Sequence, residues 1–243
     1  MTRRMARSAD RGNTEIAEPA GAHGRGRIWL ELCVGYGLIL ITIWTPRPAQ
    51  GWFWWISAAW IVASTWWSFP GWAAMGFRRG GFFASLWVVA LAGALSATAV
   101  IVAIHLHTLR IPHSFASWVL AWGGYIVWSF VQQFLLQGYF LFRFLRLLPR
   151  RESAALAAAG IFAAAHLPNP ILTSVTLVWG VVACFVFLRC RNVYSLMLTH
   201  AILGVSLAIT VPGPMIHNMR VGIGYLRYRA PGHAPAALPT PAQ

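Results

Sequence analysis

Seven long apolar stretches constrain this chain more than any other feature. They fall at about 28–45, 52–69, 82–104, 116–147, 153–168, 171–189 and 193–211. Crossing ~30 Å of hydrocarbon takes ~20 apolar residues in a helix. In lipid each spanning segment must satisfy its own backbone N–H and C=O groups, which a helix does and an isolated strand does not. The expected fold class is therefore all-α, a polytopic membrane bundle of about seven to eight transmembrane helices. The eighth arises if the region after Pro212 re-enters the bilayer. The run at 153–168 is short, and the one at 116–147 is long enough to tilt or to project beyond the membrane.

Composition supports the same reading. Charged residues make up 10% of the chain and hydrophobic residues 58%, against about a quarter charged in a soluble domain. The net charge of +14 comes with 19 basic residues, every one an arginine. They gather in the N-terminal tail, at Arg78 and Arg79, around Arg150 and Arg151, and at Arg189 and Arg191. Alternate loops are thus enriched, as the positive-inside rule requires, and the N-terminus is expected in the cytoplasm, with a bacterial inner membrane as the location. Arg220, Arg227 and Arg229 break the pattern for seven spans. No basic stripe with interleaved aromatics accompanies the charge, so membrane lipid rather than nucleic acid is the expected partner. Residues 1–27 read as a disordered basic tail, 28–211 as the transmembrane domain, and 212–243 as a C-terminal segment with a Pro/Ala-rich end. Gly93 and Ala97 offer a small-residue helix-packing face.

Polar residues inside apolar runs stand out, because an unpartnered buried amide costs roughly 2–7 kcal/mol. The fourth run carries Gln132, Gln133 and Gln137, the fifth His166 and the seventh His200. Ser129, Gln133 and Gln137 recur at i, i+4 and i+8, which stacks them on one helical face. At ~1.5 Å per residue, Gln133 lies about 20 Å from Arg146 and His166 about 21 Å from Glu152, both within the hydrocarbon. Five polar side chains on three helices at similar depth point to one shared cavity.

The stretches QQFLLQG (132–138), FAAAH (162–166) and HAILG (200–204) resemble, in order and spacing, the three motifs of the CPBP (CAAX protease and bacteriocin-processing) intramembrane protease family. That family's pattern is Glu-Glu-x-x-x-Arg, Phe-x-x-x-His and His-x-x-x-Asn/Asp. The resemblance covers residues 115–211. It implies an intramembrane endopeptidase acting on membrane-associated or prenylated peptides, with Gln132, Gln133, Gln137, His166 and His200 at the catalytic positions. Phe162, Asn169 and Gly204 are expected beside the substrate. Here both acid positions hold Gln, the Arg position holds Gln137 and the Asn/Asp position holds Gly204. A Glu raised toward neutral pKa by burial can take a proton from water, and an amide cannot. Loss of both charge signs together leaves a neutral network and avoids a lone cation in lipid. The alternative function is therefore a catalytically inactive relative that binds a hydrophobic peptide, a lipid or a partner helix in the same cavity.

The only other acids are Asp10, Glu15, Glu18, Glu31 and Glu152. Glu152 suits a helix N-terminus. Glu31, at the mouth of the first span, is the only acid that could reach inward, and snorkelling toward the headgroups is the expectation for it. No His-Glu-x-x-His is present, no Asp lies in any run, and no cofactor is expected. A divalent metal between His166 and His200 would lack a strong third ligand, with Asn169 or a Gln as the weak options. His105, His107 and His113 read as ordinary loop histidines, and Cys33, Cys184 and Cys190 as small hydrophobic residues.

Overall fold

The computed structural model describes residues 22–112 and 114–229. The tail arginines 3, 4, 7 and 11, the acids Asp10, Glu15 and Glu18, His113 and the Pro/Ala-rich end lie outside the described residues. Within them every regular element is helical. The main helices are α1 (Ala22–Trp44), α2 (Ala49–Trp67), α3 (Phe82–His105), α4 (Phe115–Gln133), α5 (Phe142–Leu147), α6 (Arg151–Ala164), α7 (Pro170–Cys190) and α8 (Tyr194–Thr210). A π-helical segment, Phe134–Leu141, joins α4 to α5, so that 115–147 forms one rod of 33 residues. Four helices among the described residues are long and apolar enough to cross a membrane: α1, α3, the 115–147 rod and α7. Their large side chains face outward in numbers no soluble protein tolerates, with Trp87, Leu95, Val127 and Val178 exposed. The protein is an integral membrane helical bundle.

Local chemistry sets the helix ends. Ser114 caps α4, its Oγ accepting from the Ser117 amide at 3.2 Å. Asn169 caps α7 in the same way, accepting from Leu172 N at 3.1 Å, and Pro170 occupies the first turn where its missing N–H costs nothing. Gly81 starts α3 with φ of 80°, and a Cβ there would overlap the Cys190 carbonyl. Only glycine allows that approach.

Two packings organise the core. On α6, Ala154, Ala155, Ala158 and Ala159 are fully buried and admit α7 at close range. A Cβ at Gly180 of α7 would sit 3.2 Å from the Ala159 side chain. Small residues permit this because the association gains dispersion energy only when backbones approach. The second pairing sets α3 against α8, with Ser85 and Ser195 sharing a hydrogen bond of 2.7 Å. The buried stripe of α3 runs through Ser85, Val88, Ala92 and Ala103. Gly93 and Ala97 lie off that stripe and are exposed, so the small-residue contact is made by α6 and α7 rather than by α3.

Glu31 does not snorkel. It turns inward, 3% exposed, and becomes the centre of an ionic cluster. Its Oε2 accepts from Arg143 Nε at 2.9 Å, and its Oε1 accepts from Arg27 Nε at 2.9 Å and Ser68 Oγ at 3.0 Å. Arg143, 1% exposed, also donates to the Tyr139 and Ser64 carbonyls at 3.1 Å each. Its guanidinium lies 3.7 Å from the Tyr139 ring centroid, and the Tyr139 hydroxyl donates to the Glu31 carbonyl at 2.6 Å. A charge in a low-dielectric interior is tolerable only when paired and fully hydrogen-bonded, and this cluster satisfies both conditions. It pins α1 and α2 to α5.

After α8 the chain forms a strap and not the further crossing that the sequence left open. It comprises α9 (Gly213–Ile216), a 3-10 turn (His217–Met219) and α10 (Gly222–Leu226), all too short to span. Asn169 Nδ2 donates to the carbonyls of Ile216 (2.9 Å) and Arg220 (3.2 Å), and Gly222 N donates to Leu167 O at 2.8 Å. His217, Asn218 and Met219 are consecutive left-handed residues with φ of 47°, 48° and 57°. Each costs roughly 1–2 kcal/mol relative to an ordinary conformation. Arg220 thus sits at the end of the bundle occupied by Arg110, away from Arg78 and Arg191.

Candidate functional site

A cavity of about 610 Å³ opens between α1, the 115–147 rod, α6, α7, α8 and the strap. Its volume falls within the ~300–1,000 Å³ usual for ligand pockets. The lining is largely apolar, and His166, His200, Gln132, Tyr125 and Phe162 all contribute to it. The histidines expected to converge from two separate runs therefore do so. Phe162 stands between them, its ring centroid 5.1 Å from that of His166 and 6.1 Å from that of His200. Trp179 closes the other side of His200 at 6.2 Å.

Hydrogen bonding fixes how each imidazole carries its proton. His166 Nδ1 lies 2.8 Å from the Phe162 carbonyl, which can only accept, so Nδ1 holds the proton and Nε2 is left as an acceptor. Gln133 Nε2 lies 2.7 Å from His200 Nδ1. With the amide donating, Nδ1 is the acceptor and the neutral ring carries its proton on Nε2. One ring thus offers an acceptor and the other a donor. A carboxylate at position 133 would impose the opposite tautomer on His200, because it could only accept.

The other glutamines take different places. Gln132 is half-buried and lines the cavity. Gln133 stands behind it, fully buried, with Oε1 unpartnered among the described residues. Gln137 lies in the π-helical segment, 1% exposed, and neither its Oε1 nor its Nε2 has a partner there. Ser129, Gln133 and Gln137 are all buried as the i, i+4, i+8 spacing anticipates, and none of the three lines the cavity. π-helical turns inside α-helices are frequent at functional sites.

Asn169 does not line the cavity. Its carboxamide is fully used in capping α7 and tethering the strap, so its contribution to the site is made through the strap residues Ile216, Asn218, Met219 and Val221. Gly204 does line it, and a Cβ there would overlap the Tyr125 hydroxyl. Tyr125, on α4, fills the space a side chain at 204 would need. The sequence reading missed this residue, and only a one-turn offset of a tyrosine from Ser129 hinted at it.

Acids are absent from the lining. Among the described residues the chain has Glu31, held in the ionic cluster, and Glu152, exposed at the start of α6. No group of three His, Cys, Asp or Glu among the described residues is placed to hold a metal.

This arrangement defines a helical integral membrane protein with a largely apolar cavity that two imidazoles help to line. Residues 114–206, the segment that builds most of the cavity, match the family model for the Rce1-like type II CAAX prenyl endopeptidases. No curated protein and no solved structure matches the chain.

Proposed function

We propose that this protein holds a hydrophobic, membrane-borne ligand in its CAAX-protease-type cavity and does not hydrolyse it. One observation carries the reading: no carboxylate lines the cavity, and the residue hydrogen-bonded to His200 is an amide. Hydrolysis by activated water needs a group that accepts a proton near neutral pH, and an amide has no such basicity. The retained shape suits binding, since the walls are apolar and the few polar groups are positioned by hydrogen bonds. Clustering of Arg78, Arg79, Arg150, Arg151, Arg189 and Arg191 supports a cytoplasmic N-terminus in a bacterial inner membrane.

A second reading, intramembrane endopeptidase, draws on the two imidazoles. His166 keeps Nε2 available as a base. Both readings meet in one experiment. Purified protein in liposomes is incubated with prenylated and transmembrane peptides, beside His166→Ala and a Gln132→Glu, Gln133→Glu, Gln137→Arg triple variant. The expected result is no cleavage by the unmodified protein. Cleavage that vanishes in His166→Ala overturns the binding reading in favour of the protease.

A further inference from the structure

Three arginines from three separate segments meet at the end of the bundle opposite the strap. Arg191 ends α7 with φ of 50°, a left-handed position that glycine or asparagine usually fills. It is half-buried, and its guanidinium lies 5.7 Å from the Phe187 ring centroid. Arg78 comes from the loop before α3. Asn192, fully buried, holds that loop beside Arg191: its Nδ2 donates to the Arg78 carbonyl at 2.7 Å, and Val193 N donates to Gly76 O at 3.1 Å. Arg151 opens α6. Because Ala159 packs against Gly180, the antiparallel register brings Arg151 level with Leu188, about 4.5 Å of helix rise from Arg191.

Nothing among the described residues neutralises this cluster. Both ion pairs there centre on Glu31, and neither includes any of the three arginines. Glu152, their nearest acid in sequence, is exposed and forms no ion pair among the described residues. Burial first, and then the charges of Arg151 and Arg78, lower the pKa of Arg191. Like charges thus press on a guanidinium that does not give up its proton. Setting the orientation of a membrane protein requires arginines on one side of the bilayer. It does not require them at one point, nor one of them on a left-handed backbone.

A second observation fixes the depth. A chain of aromatic rings leads to the cluster, from Trp66 through Phe69, Trp72 and Phe77 to Tyr194, with successive centroids 5.0–6.5 Å apart. Phe77 immediately precedes Arg78, and Tyr194 follows the Arg191 turn. Trp66, Trp72 and Tyr194 are exposed. Exposed Trp and Tyr of a membrane protein sit at headgroup level. The three guanidinium groups are therefore presented where lipid phosphates lie, and a guanidinium fork matches phosphate oxygens two at a time. The same charges repel a choline or ethanolamine cation, so the cluster selects a headgroup without one.

We infer that Arg78, Arg151 and Arg191 form a site for the phosphate of an anionic phospholipid, phosphatidylglycerol in its chemistry. The site is separate from the cavity and does not depend on what the cavity holds.

Full-length protein in detergent tests it, titrated with phosphatidylglycerol and phosphatidylcholine of identical acyl chains, each bound lipid being resolved by native mass spectrometry. The first phosphatidylglycerol should bind on the order of tenfold more tightly than phosphatidylcholine, the span expected for a hydrogen bond between charged groups. Arg78→Gln, Arg151→Gln and Arg191→Gln together should abolish that preference. The matched triple Arg79→Gln, Arg150→Gln and Arg189→Gln removes the same charge and should keep it. Because the first triple touches the end of α7, Arg151→Gln alone, exposed at a helix start, serves as a second variant and should weaken the preference. Equal binding of the two lipids to the unmodified protein overturns the site, as does a preference that survives the first triple and Arg151→Gln. An equal loss in both triples also overturns it, since the attraction would then belong to the charged face as a whole. Inorganic phosphate that displaces phosphatidylglycerol at equal concentration overturns the lipid assignment in favour of a free phosphate.

Discussion

Gln133 on α4 and His200 on α8 are joined by a 2.7 Å hydrogen bond from amide nitrogen to Nδ1. That bond ties two helices across the cavity floor and sets the polarity of the imidazole.

Changing Gln133 to Glu reverses this polarity. The carboxylate accepts, so His200 must carry a proton on Nδ1. Nitrogen-15 spectra of histidine-labelled protein should show the His200 tautomer inverted and His166 unmoved. An unchanged His200 spectrum contradicts the assignment of the amide as donor. Gln133→Ala should instead destabilise by about 1–3 kcal/mol, the cost of leaving a buried acceptor unpaired.

Gly204→Asn is expected to disrupt the fold, because its side chain collides with the Tyr125 hydroxyl. Tyr125→Ala should relieve the collision. In a double-mutant cycle read by thermal unfolding in detergent, the two changes should couple favourably by about 0.5–3 kcal/mol. Additive losses would show that Tyr125 does not fill the space over Gly204.

Removing one partner of the buried ion pair should be severe. Arg143→Met leaves the Glu31 carboxylate with only Arg27 and Ser68, and a loss of about 3–5 kcal/mol is expected. Arg143→Met combined with Glu31→Leu should recover most of it, measured as folded fraction by size exclusion after heating. If the double variant is as unstable as the single, the cluster is not an ion pair in the ordinary energetic sense.

The strap should loosen in Asn169→Ala. That change removes the α7 cap and both carbonyl tethers, for about 0.5–2 kcal/mol at the cap alone. Hydrogen exchange should accelerate at Leu172 and Gly222 while the α6–α7 interface stays protected. Uniform exchange across the bundle would instead mean that the strap is not an independent unit.

Enlarging Gly180 should separate α6 from α7. Gly180→Leu places new atoms against Ala159, already 3.2 Å from the ideal Cβ, and overpacking of that kind costs typically 1–3 kcal/mol. Gly160→Leu, whose Cβ meets nothing within 4 Å, is the matched control and should be nearly neutral.

Much of this architecture was legible in the sequence because lipid enforces a simple pattern. The seven apolar runs became helices close to their expected bounds, and the motif spacing brought His166, His200, Phe162 and Gly204 to one cavity. Burial of Gln133 and Gln137 followed from helical period alone. What stayed hidden depends on contacts between residues far apart in the chain. Glu31 and Arg143 are 112 residues apart and share no local pattern, so a lone acid near a helix start read as a headgroup ligand. Asn169 looked like a cavity polar group, but a residue just before a proline-initiated helix is also a natural cap, and the cap prevailed. Tyr125 was invisible for a further reason: its role exists only because Gly204 makes room.

The π-helical segment separates two tasks carried by a single rod. Gln132, which lines the cavity, and Gln133, which holds His200, precede it, whereas Arg143 follows it and meets Glu31. An uninterrupted α-helix would lock those directions together, so that any rotation serving one end would misaim the other. The wide turn at 134–141 acts as a phase shifter between them. Ligand chemistry at one end of the rod and anchorage of the first two helices at the other can then vary in sequence independently.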